Sequence, residues 1–225
     1  MTRKTPWWQR LGRWALKISG WTLIDHRPPE QKYLVIGAFH TTNWDLPLAL
    51  ALLSALGIRP RWIGKESLFK GPWGPVMRWL GGIPVKRGAR LNFVQQMAQR
   101  IHQAEGAFVV VIAPEGTRKA TDHWKTGFYY IALEAGVPIA LGFGDYPSKT
   151  CGIGDYFYPS GDAEADLEKI RAFYAHVRGK YPQNHGTIRF KPRQPSAGHA
   201  SPSPETAPGQ ATPAQEAALG KPRQG

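Results

Sequence analysis

Tyr33-Leu-Val-Ile-Gly-Ala38, followed after Phe39 by His40-Thr-Thr-Asn-Trp-Asp45, decides how the rest of the chain is read. The first run is apolar and β-branched, as in a buried strand. An apolar helical pattern leaves the second run, from Trp44 to Leu56, and Gly57 stops it. His40 and Asp45 therefore sit on a strand-to-helix corner. Five helical residues turn about 500°, so one helical face cannot carry both. They meet if His40 lies on the turn before the helix and Asp45 in its first turn. The carboxylate then fixes one ring nitrogen and leaves the other free to take a proton. The same residues also fit a helix cap, because Thr42 is followed three positions later by an acid. On that reading His40 is a loop residue, and the local sequence leaves both readings open.

The rest of the chain alternates between strand and helix signals. Arg61–Gly64 reads as a short strand, and Lys65 to Pro75 as a Gly- and Pro-rich loop followed by a helical turn at Val76–Leu80. Gly82–Val85 reads as a strand, Leu91–Ala104 as a helix, and Ala107–Ile112 as the most strand-like run. Gly127–Ala135 is helical in pattern, Val137–Phe143 a strand, 163–179 an amphipathic helix and Thr187–Lys191 a last strand. This alternation predicts a single α/β layered domain with a mainly parallel central sheet flanked by helices.

Residues 6–24 read as one amphipathic helix ahead of that domain. Trp7, Trp8, Leu11, Trp14, Ala15, Ile18 and Trp21 recur at helical spacing, with Arg10, Arg13 and Lys17 interleaved. Such a helix either lies in a membrane interface or packs its tryptophans on the core. The expected organisation is an interface helix over 1–25, a domain over 26–191 and a disordered tail over 192–225. The tail is rich in Pro, Ala, Ser, Gly and Gln and too poor in large apolar residues to offset its ordering entropy.

Composition narrows the partners. Among 225 residues, 29 Lys and Arg face 16 Asp and Glu, a net charge of +13. That excess calls for an anionic partner: nucleic acid, an anionic bilayer or a phosphorylated substrate. Nine tryptophans tilt the choice toward a bilayer interface. Cys151 stands alone, which excludes an internal disulfide and a cysteine-based metal site, and it reads as a buried strand residue. No run reaches the roughly 20 apolar residues of a transmembrane helix, and Arg10, Arg13 and Lys17 break any secretory signal. No metal-ligand spacing is present. The histidines at 26, 102, 123, 176, 185 and 199 are expected at the surface.

Three further stretches could carry chemistry. Pro114-Glu-Gly-Thr-Arg118 directly follows a strand, where α/β sheets bind ligands. Gly116 permits close backbone approach, Thr117 offers a hydroxyl and Arg118 a forked donor for phosphate. A plain glycine turn with an exposed arginine is the alternative. Gly82-Ile-Pro-Val-Lys-Arg87 ends a strand in Lys86 and Arg87, which otherwise make a solvated basic turn. Val137-Pro138-Ile139 reads as a core strand entered through a proline.

Taken together and in order, these stretches resemble the four blocks of the glycerophospholipid acyltransferase family, whose bacterial members include 1-acylglycerol-3-phosphate acyltransferases. His40 and Asp45 match the first block, with Phe39 where the family has Asn. Gly82 to Arg87 resembles the second, with Pro84 where an aromatic is commoner. Pro114 to Arg118 matches the third in full. Val137 to Ile139 matches the fourth, with Ala140 where Pro is usual. Lys65-Glu-Ser-Leu-Phe69 is similar to the family's stretch between the first two blocks, and the resemblance spans about residues 30–145.

The resemblance implies transfer of a fatty acyl group from acyl-coenzyme A or acyl carrier protein to the hydroxyl of a lysophospholipid, 1-acylglycerol-3-phosphate, giving phosphatidate. It implies His40 as general base held by Asp45, and acceptor phosphate bound by Arg87, Glu115, Gly116, Thr117 and Arg118, with Lys86 and Lys125 as weaker candidates. Glu115 is awkward beside a phosphate dianion and is expected to organise Arg118 or a backbone turn. No covalent acyl-enzyme, cofactor, metal or nucleic acid is expected. Backbone amides near the corner are the expected oxyanion donors. The expected location is peripheral, on the cytoplasmic face of the inner membrane, held by the anionic surface. The alternatives are the same chemistry on another lysolipid or amino-acid lipid, and a non-enzymatic basic binder of membrane or nucleic acid.

Overall fold

A computed structural model describes residues 5–85 and 90–191. The expected tail and the cationic end of the second block, Lys86 and Arg87, lie outside the described residues.

Helix α1, Trp7–Ile18, leads into strand β1, Thr22–Asp25. Then follow β2 (Lys32–Gly37), α2 (Asp45–Leu56), β3 (Pro60–Lys65), a 3-10 turn at Glu66–Phe69, α3 (Gly74–Trp79) and β4 (Gly82–Val85). The chain continues through α4 (Arg90–Gln103), β5 (Phe108–Ile112), α5 (Gly127–Ala135), β6 (Ile139–Asp145), β7 (Thr150–Phe157) and α6 (Ala163–Tyr174). The seven strands form one sheet in the order β1-β7-β6-β2-β5-β3-β4. All pairings are parallel except β6 with β7. The fold is therefore the expected α/β layer with a mainly parallel sheet.

Two cores lie on the two faces of the sheet. Leu34, Ile36 and Val110 pack with α4, α5 and α6 through Met97, Ile101, Phe128, Ile131, Leu167 and Ile170. Tyr33, Val35 and Val109 pack with α1 and α2 through Leu16, Leu52, Leu53 and Leu56. β2 is buried along nearly its whole length because both of its faces are covered, which is why its sequence is continuously apolar. Helix α1 crosses α2 closely at Gly12, where a Cβ would come within 2.6 Å of the Ala55 amide nitrogen.

Four expectations are corrected. The helical pattern over 6–24 ends at Ile18, and Thr22–Asp25 instead forms an edge strand against β7. Trp21 is turned inward against Tyr146, with ring centroids 5.1 Å apart, while Trp7 and Trp14 of the same periodic set stay exposed. Cys151 is, as expected, a buried strand residue, and the strand that holds it, β7, extends over Thr150–Phe157, a stretch to which the sequence reading assigns no element. The helix expected over 163–179 stops at Tyr174, and the last strand reduces to a single bridge between Trp124 and Phe190.

Candidate active site

Strands β2, β5 and β6 are parallel neighbours, so the loops at their carboxyl ends leave from one edge of the sheet. That edge carries His40 after β2, the 114–118 turn after β5, and Tyr146 after β6. The same edge receives the carboxyl end of β4, which forms the first four residues of the second block.

The corner is built around Asp45, the first residue of α2. Its Oδ2 accepts from the amides of Thr41 and Thr42 at 2.7 and 2.8 Å and lies 3.2 Å from His40 Nδ1. Its Oδ1 accepts the Tyr146 hydroxyl at 2.8 Å. Burial alone would raise the Asp45 carboxyl. The hydrogen bonds from His40, Thr42, Tyr146 and Thr41 reverse that and hold it below its ordinary value. One half of the capping motif and the His–Asp pair coexist: the carboxylate reaches back to the Thr42 amide as a capping acid does, though α2 has no side-chain cap at Trp44, and the same oxygen faces His40. Nδ1 facing the carboxylate carries the ring proton. Nε2 makes no hydrogen bond among the described residues and is left as an acceptor of protons.

Glu115 is almost fully buried, at 3 % exposure. Its Oε2 accepts the His40 amide at 2.7 Å and its Oε1 accepts the Gly186 amide at 3.2 Å. Burial pushes its carboxyl up, and those two amides oppose the shift. Its carboxylate is therefore engaged with backbone on both sides of the corner rather than turned to a phosphate.

Pro114 is buried like Glu115, and Gly116, Thr117 and Arg118 of the third block face solvent. Gly116 adopts φ 62°, and a Cβ there would sit 2.0 Å from Lys125 Nζ. A glycine lets that ammonium lie against the turn, which joins Lys125 to the block. Thr117 Oγ1 accepts from the Lys119 amide at 3.3 Å. The exposed Arg118 donates from Nη1 to Asn43 Oδ1, between His40 and Asp45 in the first block. The structure therefore brings together His40, Asp45, Glu115, Gly116, Thr117, Arg118 and Lys125.

Three partners escaped the sequence reading. Tyr146 reaches Asp45 across 101 residues and carries no motif. Gly186 contributes only an amide. His185 is half-buried, not a surface residue. Its ring stacks on Phe39 at 3.8 Å and 8°, and Nε2 accepts the Gly179 amide at 3.0 Å. Burial, then Arg178, pushes its imidazole below the ordinary value. Phe39 itself also lies edge-on to Tyr174 at 5.8 Å, so the departure from Asn has aromatic partners on two sides. The oxyanion expectation is also narrowed: the amides of His40, Thr41 and Thr42 are all donated to carboxylates.

Asp45→Asn gives a test of this geometry. The amide can keep an oxygen toward Thr41, Thr42 and His40, so the fold is expected to survive. The imidazolium formed on proton uptake loses its counter-charge, and turnover is expected to fall on the order of 10²- to 10⁴-fold. Because the folded-state value of Asp45 is lowered, its stabilising contribution is complete above the unfolded carboxylate value, about 3.9. It is lost as pH falls through the folded value. Melting temperatures measured from neutral to strongly acid pH should thus show the gap between wild type and Asp45→Asn closing in acid. A gap independent of pH would contradict the assignment.

The Acyltransferase family model matches residues 21–140. A curated relative, 1-acyl-sn-glycerol-3-phosphate acyltransferase of Haemophilus influenzae, is 30% identical over 125 residues, covering 52% of this chain and 51% of the relative. The chain thus spans about half the length of that relative. The crystal structure of the 1-acyl-sn-glycerophosphate (LPA) acyltransferase PlsC from Thermotoga maritima superposes with a TM-score of 0.49 at 18% identity, over 73% of each chain. With a match over more than half of its length, including both the His40–Asp45 corner and the 114–118 turn, the chain belongs to the acyltransferase family.

Proposed function

We propose that this chain moves a fatty acyl group from acyl-coenzyme A or acyl carrier protein to the free hydroxyl of 1-acylglycerol-3-phosphate, giving phosphatidate. The observation that carries this reading is His40. Its Nδ1 is held 3.2 Å from the Asp45 carboxylate, and Arg118 is tied to the same loop through Asn43. Nε2 takes the proton of the acceptor hydroxyl as its oxygen attacks the thioester carbonyl. Collapse of the tetrahedral intermediate breaks the C–S bond, and the imidazolium returns the proton to the departing thiolate. The thioester is already activated, so no nucleophilic side chain is required.

Arg118, Lys125 and the Gly116 turn supply charge and close approach for the acceptor phosphate, and Arg87 and Lys86 add to them on this reading. Arg118→Ala is expected to raise KM for a phosphorylated acceptor about tenfold or more with a smaller change in kcat. A fall in kcat with KM unchanged would overturn the phosphate role. The α1 stripe of Trp7, Leu11, Trp14 and Ile18 is exposed beside Arg10 and Lys17. That arrangement supports a peripheral position on an anionic membrane, and on this reading the membrane is the inner one, met from its cytoplasmic face. No described helix is long and apolar enough to cross a membrane.

The deciding experiment is a panel of acceptors on anionic vesicles, run with both thioester donors and scored by thiol release. Turnover confined to 1-acylglycerol-3-phosphate supports the proposal. Preference for another lysolipid or an amino-acid lipid moves the same chemistry to a different acceptor. No release from any acceptor sinks the reading.

A further inference from the structure

The helices on one face of the sheet turn large apolar side chains to solvent, and those on the other face hardly do. Strand register fixes the face. Val35, Val111 and Trp62 are aligned across β2, β5 and β3, so they point to one side. Val35 lies in the core shared with α1 and α2. Trp62 stacks on Phe69 at 5.6 Å. Gly82 is aligned with Trp62, and a Cβ there would come 2.6 Å from the Phe69 ring and 2.7 Å from the Met77 carbonyl oxygen of α3. Thus α3 is laid over the same side as α1 and α2.

Outward from this layer stand Trp7 and Trp14 of α1, Leu46 and Leu50 of α2, and Trp73 (69 % exposed) and Trp79 (83 %) at α3. Trp44, at the start of α2, is exposed too, with Lys180 Nζ 5.7 Å above its ring. Among the described residues of α4, α5 and α6, only Leu133 is a large exposed apolar group. Charge divides the same way. Arg10, Arg13, Lys17, Lys70 and Arg78 accompany the exposed apolar groups. Glu66 is 3.7 Å from Lys70, and Asp45 is turned into the corner. On the helices of the opposite face, Glu134, Glu164 and Glu168 stand with Arg100, Lys169 and Arg171, and Lys169 and Arg171 are paired with Asp166, Glu164 and Glu168.

Exposed indole and aliphatic groups set among unopposed cations fit an anionic lipid surface. A second copy of the chain fits poorly, because a self-complementary contact would set these cations against one another.

We propose that α3 is a second bilayer contact, so that the α1–α2–α3 layer rests on an anionic membrane with the His40 corner at its edge. This rests on the lysolipid reading above and adds an orientation to it. Two contacts fix rotation about α1, which one helix leaves free. The corner at the start of α2 then faces the lipid surface that supplies the acceptor.

The test places an environment-sensitive fluorophore at Val76→Cys on α3 and at Glu134→Cys on the opposite face. Cys151 is buried with its thiol pushed up to about 12 by burial, so labelling goes to the introduced thiol. Vesicles of phosphatidylglycerol and phosphatidylcholine, with and without brominated chains, are added to the full chain. The label at 76 should shift to the blue and be quenched, and the label at 134 should do neither. Trp73→Ala/Trp79→Ala should weaken vesicle binding on the order of tenfold and leave turnover of a detergent-dispersed acceptor unchanged. A water-like label at 76 on vesicle-bound protein overturns the α3 contact alone, as does a double variant that loses a dimer in sedimentation with vesicle binding intact. Turnover of no dispersed acceptor would instead sink the lysolipid reading, whatever the labels report.

Discussion

Replacing His40 with alanine is expected to cut thiol release from acyl-coenzyme A by about 10²- to 10⁴-fold, the usual worth of a positioned general base, with the fold intact. The His40 side chain is about one-third exposed, at 32%. Its removal leaves Asp45 with the amides of Thr41 and Thr42 and the Tyr146 hydroxyl, so no carboxylate is orphaned. The backbone amide that Glu115 holds is retained by alanine at position 40. Circular dichroism and melting temperature should stay near wild type while the rate collapses. A rate within tenfold of wild type would remove His40 from the chemistry, and the family resemblance would then have to rest on binding alone. A large drop in melting temperature would instead mean that the imidazole is structural.

The corner shows which parts of such a site a sequence can carry. His40 and Asp45 are close in the chain, and a strand signal followed by a helix signal placed them where they can meet, while leaving a plain helix cap open until the later blocks are read with them. The 114–118 turn was legible for the same reason, since a strand end and a glycine are local features. Tyr146, Gly186 and His185 were not. Each enters through a contact spanning many residues, 101 for Tyr146 to Asp45 and 71 for Gly186 to Glu115. Gly186 acts through its amide, which every residue but proline has.

The fold followed the same rule. β2 and β5 are buried on two faces and advertise themselves as apolar runs. β7 contains Gly152 and Gly154, which read as breakers in isolation. Gly152 is there because β1 passes close by: a Cβ would lie 2.0 Å from the Ile24 carbonyl oxygen. β1 hid behind Trp21, which continues the helical spacing of α1 yet packs on Tyr146. The sequence periodicity is real, but Ser19 and Gly20 close the helix first. Ser19 Oγ donates to the Ala15 and Leu16 carbonyls, and Gly20 takes φ 75°.

The second large effect is expected at Glu115, and it separates two roles for the third block. If Glu115 met the acceptor phosphate, Glu115→Ala would alter KM and leave stability alone. The structure gives it different work. It is buried at 3% exposure and holds two backbone amides, one of them that of His40 itself. Alanine would leave those donors without their acceptor, at about 1–3 kcal/mol for each buried group. For a chain of this size the two together correspond to a fall in melting temperature of roughly 4–24 °C. Turnover should fall as well, on the order of 10²-fold, because a displacement of about 1 Å in a positioned base costs that much. KM for a phosphorylated acceptor should change little. Glutamine should rescue only part, since its carbonyl can serve one amide and its NH₂ group then faces the other. The pH dependence gives an independent check. Burial raises the folded-state value of Glu115, so its titration contributes stability below the unfolded carboxylate value. That contribution is lost as pH rises through the raised folded value. Glutamine does not titrate, and the stability gap between wild type and Glu115→Gln should therefore narrow as pH rises through that window. A raised KM with an unchanged melting temperature would return Glu115 to the phosphate site and leave the His40 amide to be held by something else.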